Sequence, residues 1–152
     1  MHMEPIPARI GQIQCTIMRN KKWYQQPVYT LSLSATNQFL LSGKKRAFNK
    51  TSNYMISMDQ DKGGKSGSGY LGKVRSNFLG TEFSIYDDGA NPEKAKTPDS
   101  IRCQHGVVQY ETNVLGSKGP RRMKVLLPMV DVNGNQMVWR SADVSIFDRL
   151  VV

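Results

Sequence analysis

Short stretches of alternating polar and apolar residues recur along most of this chain. Residues 30–34 (Thr-Leu-Ser-Leu-Ser) and 82–86 (Glu-Phe-Ser-Ile-Tyr) alternate with a period of two, which is typical of a strand with one buried face. Turn residues punctuate the pattern, as at Asp87-Asp-Gly89 and Asn133-Gly134. The pattern predicts an antiparallel β protein with strands at 14–19, 28–33, 38–42, 53–58, 70–76, 82–86, 106–111, 123–127 and 136–140.

One helix is predicted, and it begins at Ser141. Apolar side chains follow this capping serine at helical spacing, namely Val144, Phe147, Leu150 and Val151. The glycine-rich segment 59–69 and the proline-containing segment 90–100 are predicted as loops. Because no break in composition divides the chain, we expect a flexible N-terminal segment over residues 1–9 and a single domain over residues 10–152.

The charge of the chain indicates an anionic partner. Its formal net charge is +9, from 21 basic and 12 acidic side chains, which favours nucleic acid or an anionic membrane surface. No apolar run approaches the roughly 18 residues of a membrane-spanning helix, and the first residues lack the layout of a secretory signal. We therefore expect the cytosol or nucleus, where Cys15 and Cys103 would be packed thiols and not a disulfide.

Two basic residues are placed to act together. Lys73 and Arg75 stand two positions apart on a predicted strand, so their side chains leave the same face. Two cations held on a rigid backbone can grip neighbouring phosphate groups. For a pair met at random, two solvated surface charges would be the ordinary interpretation.

Longer blocks of sequence carry a family resemblance. They are Gln14-Cys-Thr-Ile-Met-Arg19, Phe39-Leu-Leu-Ser-Gly-Lys-Lys-Arg46, Lys50-Thr-Ser-Asn-Tyr-Met-Ile-Ser57, the stretch 70–89 with Gly72-Lys-Val-Arg75, and Tyr110-Glu-Thr-Asn-Val-Leu-Gly within 110–123. In this order the blocks resemble the carboxy-terminal domain of the tubby family, a phosphoinositide-binding module. The resemblance covers about residues 10–150.

The resemblance implies a set of ligand-binding residues. Lys73, Arg75 and Arg102 match cations that hold the inositol phosphates, and Asn53 matches an asparagine that hydrogen-bonds the head group. A surface arginine at 102 and a strand-edge turn residue at 53 remain the alternatives. An auxiliary basic cluster, which would attract anionic membranes in general, consists of Lys44, Lys45, Arg46 and Lys50.

The implied function is recognition of phosphatidylinositol 4,5-bisphosphate at the inner face of the plasma membrane. Participation in membrane-receptor or ciliary trafficking belongs to the same expectation, with the nucleus or cilium as further locations. A second hypothesis is a DNA-associated transcriptional regulator, which the net charge of +9 favours although no helix-turn-helix, zinc finger or basic helix is recognisable. A third is a truncated interaction protein without a ligand.

Enzymatic function is not expected, and neither is a cofactor or a metal. The segment Gly63-Gly-Lys-Ser66 hints at a phosphate-binding loop, but that motif requires a glycine where the chain has Asp59. The histidines are His2 and His105, which gives no recognisable catalytic triad and no set of zinc ligands.

The resemblance also implies an incomplete fold. Tubby domains resemble a closed β-barrel threaded by an apolar C-terminal helix, and the later strands and that helix have no counterpart in this sequence. We therefore expect part of a tubby-like barrel in which Phe83, Ile85 and Val108 lack a covering helix. Unpaired strand edges would allow self-association.

Overall fold

One antiparallel β-sheet carries the fold. The structure is a computed structural model that describes residue 6 and residues 8–60, 69–111 and 122–140. Its eight strands are β1 (Cys15–Asn20), β2 (Val28–Leu33), β3 (Phe39–Lys45), β4 (Asn53–Ser57), β5 (Tyr70–Ser76), β6 (Glu82–Asp87), β7 (Gln104–Tyr110) and β8 (Met123–Leu126). Short 3₁₀ helices span Ala8–Ile10, Pro92–Lys94 and Pro98–Ser100. Among the helices described, none has the length and apolar character needed to cross a bilayer.

Each strand pairs with the next one along the chain. The spatial order is β1 to β8 without a crossover, and all seven pairs are antiparallel. Within the described residues β1 and β8 do not pair with each other, so the sheet is open. The prediction of a mainly β protein is confirmed, and the open sheet is consistent with part of a tubby-like barrel.

Two of the predicted boundaries differ from the structure in an informative way. The ninth predicted strand, 136–140, is wrong as a strand because only isolated bridges form there, Val130 with Gln136 and Cys103 with Arg140. The predicted loop 90–100 contains two 3₁₀ helices, since Pro92 and Pro98 each preset the first backbone angle of a helical turn. The expected helix from Ser141 and most of the N-terminal segment lie outside the described residues.

One face of the sheet is apolar. The register places Tyr29, Leu31, Leu41, Tyr54, Ile56, Val74, Phe83, Ile85 and Val108 on it. Aromatic rings meet edge to face there, Tyr29 with Tyr54 at 5.9 Å and Phe83 with Tyr110 at 5.7 Å between centroids. Within the described residues the side chains of Phe83, Ile85 and Val108 are half-buried, so this apolar face is only partly covered.

The opposite face, which we call the polar face, holds most of the buried side chains. They are small or amide-bearing, and they are Thr30, Ser42, Asn53, Ser57, Ser84 and Gln104, together with Val107. Ser42 Oγ donates to Asp59 O at 2.6 Å, and Gln104 Nε2 donates to Ser84 Oγ at 3.1 Å. These hydrogen bonds offset the burial of polar groups and hold neighbouring strands together on this face.

The register shifts by one residue in three of the strand pairs. An extra residue lies in β3 at Leu40, in β5 at Leu71 and in β7 at His105. All three shifts lie toward the same end of the sheet, the end where β2, β4 and β6 finish. Such bulges increase twist and bend a sheet, as closure toward a barrel requires.

Among the residues that the structure describes, two other than glycine have a left-handed backbone. Asn37, in the turn between β2 and β3, has φ 56°, and Phe48, between β3 and β4, has φ 60°. Asparagine adopts this conformation readily, whereas for most side chains it costs about 1–2 kcal/mol. Phe48 is fully exposed, so no packing within the described residues offsets this cost.

Gly72 allows β5 and β6 to approach closely. A Cβ atom added at Gly72 would overlap the carbonyl oxygen of Tyr86 and contact Asp87 Cα at 3.0 Å. The side chain of any other residue would therefore push the two strands apart just before Lys73.

We predict that Gly72→Ala lowers the free energy of unfolding by about 1–3 kcal/mol, as expected for overpacking at a rigid contact. Urea denaturation followed by circular dichroism measures the change. Gly80→Ala is a useful comparison, because a Cβ at Gly80 meets nothing within 4 Å and only its φ of 68° opposes the substitution. A larger loss for Gly80→Ala than for Gly72→Ala would contradict the close approach described.

Candidate functional site

Asn53 and Arg75 form a direct cross-strand pair on the polar face. The register places Asn53 of β4 opposite Arg75 of β5, and Arg75 opposite Ser84 of β6. Directly opposed residues have Cα atoms about 4.5–5.5 Å apart, so the amide and the guanidinium are immediate neighbours. Asn53 is buried and Arg75 is exposed. The amide therefore has a fixed place in the sheet, while the guanidinium is accessible from solvent.

Lys73 lies in the adjacent row of the same face. It stands opposite Met55 of β4 and Tyr86 of β6, and it is half-buried. On the other side of Met55, the register places Lys44 of β3 in the same row. Arg75, in the neighbouring row, has the small side chain of Ser84 opposite it, which leaves the face open beside its guanidinium.

Arg102 joins the same face from the connection between β6 and β7. Its guanidinium carbon lies 4.2 Å from the ring centroid of Tyr86, the residue opposite Lys73. This cation–π contact holds the guanidinium against the residue that faces Lys73 across the strands. The Nε atom of Arg102 is buried, and it has no hydrogen-bond partner among the described residues. A buried donor without an acceptor is costly, and an anionic ligand oxygen would satisfy it.

Asp87 ties the turn after β6 to the backbone next to Arg102. Its Oδ1 accepts hydrogen bonds from Gly89 N at 3.0 Å and from Cys103 N at 2.9 Å. Arg102 N donates to Ala90 O at 2.9 Å. The turn after β6 is thus tied to the segment that carries Arg102.

Gly89 allows the turn after β6 to approach the backbone of Arg102 closely. A Cβ atom added at Gly89 would lie 2.5 Å from Arg102 Cα. The absence of a side chain at Gly89 is therefore required for Arg102 to occupy its position.

A second set of contacts holds the same segment from the other side. Arg140 Nη1 donates to Asp99 O at 2.9 Å and to Ile101 O at 2.6 Å. Gln104 N donates to Trp139 O at 2.7 Å. The residues predicted as a ninth strand thus brace the connection that positions Arg102.

The auxiliary basic cluster is divided by the sheet. Lys44 faces the polar side in the row of Lys73, whereas Lys45 pairs with Tyr54 on the opposite side. Arg46 and Lys50 are exposed in the loop between β3 and β4. The structure therefore brings Asn53, Lys73, Arg75 and Arg102 together on one face. From the cluster, Lys44 lies in the row of Lys73, and Arg46 lies beside Asn53, since Arg46 N donates to Asn53 O at 2.8 Å.

Tyr86, Asp87 and Arg140 belong to this arrangement but were not identified from sequence. Tyr86 occupies a polar position of the alternating stretch 82–86, which was the available signal. The Asp87-Asp-Gly89 turn was recognised, but its bond to Cys103 joins residues 16 apart in the chain and leaves no local pattern.

Tyr70 lies within the electrostatic range of the same groups. Burial is the main cause that raises the pKa of Tyr70, and Asp88 and Asp87 add to it. Arg102 and Arg46 act in the opposite direction. Both arginines therefore act on one tyrosine at the edge of the site, although only Arg102 was expected near the head group.

Cys103 reports on the contact between Asp87 and the Arg102 segment. Burial raises the pKa of the Cys103 thiol, and a hydrogen bond with Asp87 raises it further. Cys15, in contrast to the expectation of a packed thiol, is exposed. We predict that iodoacetamide at neutral pH modifies Cys15 faster than Cys103, because burial and a small thiolate fraction protect Cys103.

The substitution Asp87→Asn should accelerate modification of Cys103, since it removes the neighbouring negative charge and lowers the thiol pKa, while leaving the rate at Cys15 unchanged. Peptide mass spectrometry measures both rates in one sample. Equal acceleration at both cysteines would indicate general unfolding instead.

The sequence of this chain is similar to one protein family and to several of its characterised members. The family model described as the Tub family matches residues 2–149. Mouse Tubby-related protein 2 is 49% identical over 142 residues, covering 87% of this chain and 25% of that protein. Mouse Tubby-related protein 3 is 39% identical over 145 residues, covering 90% of this chain and 31% of that protein.

A nematode relative gives a similar result. Tubby protein homolog 1 of Caenorhabditis elegans is 41% identical over 127 residues, covering 78% of this chain and 30% of that protein. The chain thus spans between a quarter and a third of the length of these relatives.

Proposed function

The chain belongs to the Tub family, and from this membership we propose that it is a non-enzymatic module that binds phosphatidylinositol 4,5-bisphosphate at the inner face of the plasma membrane. One observation supports this proposal above the others. Asn53, Lys73, Arg75 and Arg102 come from three elements of the chain and converge on one face of the sheet. A role in membrane-receptor or ciliary trafficking would follow from such lipid recognition.

The chemistry of the four side chains suits two neighbouring phosphates. The planar guanidinium groups of Arg75 and Arg102 offer paired hydrogen bonds to phosphate oxygens, and Lys73 supplies a compact positive charge. The Asn53 amide can donate a hydrogen bond without adding charge. A singly charged head group such as that of phosphatidylserine would leave several of these groups unused. The proposal therefore includes selectivity for a head group with several phosphates.

We predict that the double variant Lys73→Ala, Arg75→Ala lowers affinity for vesicles containing phosphatidylinositol 4,5-bisphosphate by at least about a hundredfold, because it removes two charge-assisted contacts worth about 1.5–3 kcal/mol each. Vesicle co-sedimentation measures the affinity. The matched control is Lys94→Ala, Lys96→Ala, which removes the same charge at the same spacing from exposed positions in the connection after β6, outside the four proposed binding residues.

Equal losses in the two double variants would show that net charge alone drives binding. The hypothesis of a DNA-associated regulator is tested by measuring affinity for duplex DNA at increasing salt. Binding through phosphate charge alone weakens steeply with salt and does not depend on sequence. Sequence-specific binding at physiological salt would favour the regulator hypothesis. Retained vesicle binding in the Lys73, Arg75 variant would move the site elsewhere on the molecule.

We also predict that Tyr86→Leu weakens vesicle binding about five- to thirtyfold through loss of the cation–π contact that positions Arg102. A double-mutant cycle with Arg102→Gln separates this effect from general destabilisation. If Tyr86 acts through Arg102, Tyr86→Leu has little further effect in the Arg102→Gln background. Additive losses would mean that the ring contributes independently of the arginine.

A further inference from the structure

Three hairpin loops lie side by side at one end of the sheet. They join β1 to β2 (21–27), β3 to β4 (46–52) and β5 to β6 (77–81). In an antiparallel meander every second connection falls at the same end, and the bonds Arg46 N to Asn53 O and Ser76 N to Ser52 O confirm that these strand ends are adjacent. We call this the hairpin end.

Each loop at the hairpin end presents a large apolar side chain to solvent. Trp23 is 93% exposed, Phe48 is 106% exposed and Phe78 is 84% exposed, with Tyr24 and Leu79 beside them. Trp23 and Tyr24 meet edge to face with 6.0 Å between their centroids. Single exposed apolar residues are ordinary, but aromatic tips on three hairpins at the same end of the sheet form an extended row.

The charge of the same loops has one sign. They contain Lys21, Lys22, Arg46 and Lys50, and no aspartate or glutamate. The connections at the opposite end differ: residues 34–38 contain no large apolar side chain, and residues 88–103 include Asp88, Glu93 and Asp99. Aromatic tips among basic residues fit a partner that is anionic at its surface and apolar just below it.

Phe48 strengthens the case for a partner outside the described residues. It is held in a left-handed conformation, is fully exposed, and so has no stabilising contact in the sheet. A strained residue without compensation in its own fold is commonly a functional one. Insertion of its ring into an apolar layer would supply the missing stabilisation.

We propose that the hairpin end inserts into the interfacial layer of an anionic bilayer, with Trp23, Phe48 and Phe78 as the anchors. This inference rests on the proposed function, because two of the proposed head-group residues, Asn53 and Arg75, lie next to the hairpin end. Asn53 directly follows the loop 46–52, and Arg75 precedes Phe78 by three residues, about 10 Å of extended chain. Interfacial side chains reach about 5–10 Å into the boundary of head groups and acyl chains. Phosphates bound at Arg75 would thus lie at the level of the lipid head groups when the ring of Phe78 is inserted into the interfacial layer.

The first test uses the fluorescence of Trp23. The chain has two tryptophans, so Trp139→Phe leaves Trp23 as the single reporter. Phosphatidylcholine vesicles are compared with vesicles that also contain phosphatidylserine, with and without phosphatidylinositol 4,5-bisphosphate. We expect a blue shift on binding to the anionic vesicles and quenching by lipids with brominated acyl chains. Binding without a shift or quenching would overturn the insertion.

The second test removes the anchors. The triple variant Trp23→Ser, Phe48→Asn, Phe78→Ser should bind phosphoinositide vesicles at least about tenfold more weakly. The substituted side chains are exposed and asparagine tolerates the backbone of residue 48, so the fold is expected to persist, which circular dichroism checks. The control variant Met129→Ser, Val132→Ser removes exposed apolar side chains that follow β8 at the opposite end and should bind normally.

Binding of soluble inositol 1,4,5-trisphosphate separates this inference from the proposed function. Calorimetry should give the triple variant and the unmodified chain the same affinity for this free head group. If vesicle affinity is also unchanged in the triple variant, insertion is overturned while the head-group site stands. If neither protein binds the free head group, the proposed function fails, and the Trp23 signal on phosphatidylserine vesicles still decides the insertion. Quenching of Trp23 by single-stranded DNA, without any response to brominated lipid, would assign the tips to nucleic acid and overturn the proposal.

Discussion

The register of β5 between β4 and β6 is the constraint on which the rest of the site depends. It sets Asn53, Arg75 and Ser84 in one row and Met55, Lys73 and Tyr86 in the next. A slip of β5 by one residue would move both Lys73 and Arg75 to the apolar face. The small buried side chains of the polar face and the close approach at Gly72 make that slip costly, because both fit only one alignment of the strands.

Arg102 is positioned by different means from Lys73 and Arg75. It lies outside the regular ladder. A hydrogen bond that Asp87 accepts from Cys103 N, and two that Arg140 donates to Asp99 O and Ile101 O, fix the segment around it. Two cations therefore come from a rigid strand, while the third comes from a connection braced on both sides. Arg102 can therefore approach a ligand on the polar face from another direction than Lys73 and Arg75, and its position is still fixed by hydrogen bonds.

The strands could be predicted from sequence, and so could the placement of Lys73 and Arg75 on one face of the same strand. Alternation with a period of two is a local property, and tertiary structure did not override it. The stacking of Arg102 on Tyr86 could not, since it depends on how a connection of sixteen residues folds back onto β6. The isolated bridges near 136–140 were mistaken for a strand, because the length of a pairing is decided by distant partners such as Cys103 and not by the segment itself. The resemblance indicated which residues belong together, and the register explains how they meet.

The extra residue in β7 has a consequence for how this part of the chain can vary. His105 has no counterpart in β6, since Ile85 faces Gly106 and Tyr86 faces Gln104. Without that extra residue, each side chain before Gly106 would point to the opposite face of the sheet. Arg102 would then lie on the apolar side. Residue 105 thus matters through its presence more than through its imidazole ring. We therefore expect substitutions at position 105 to be tolerated, and an insertion or a deletion there to displace Arg102.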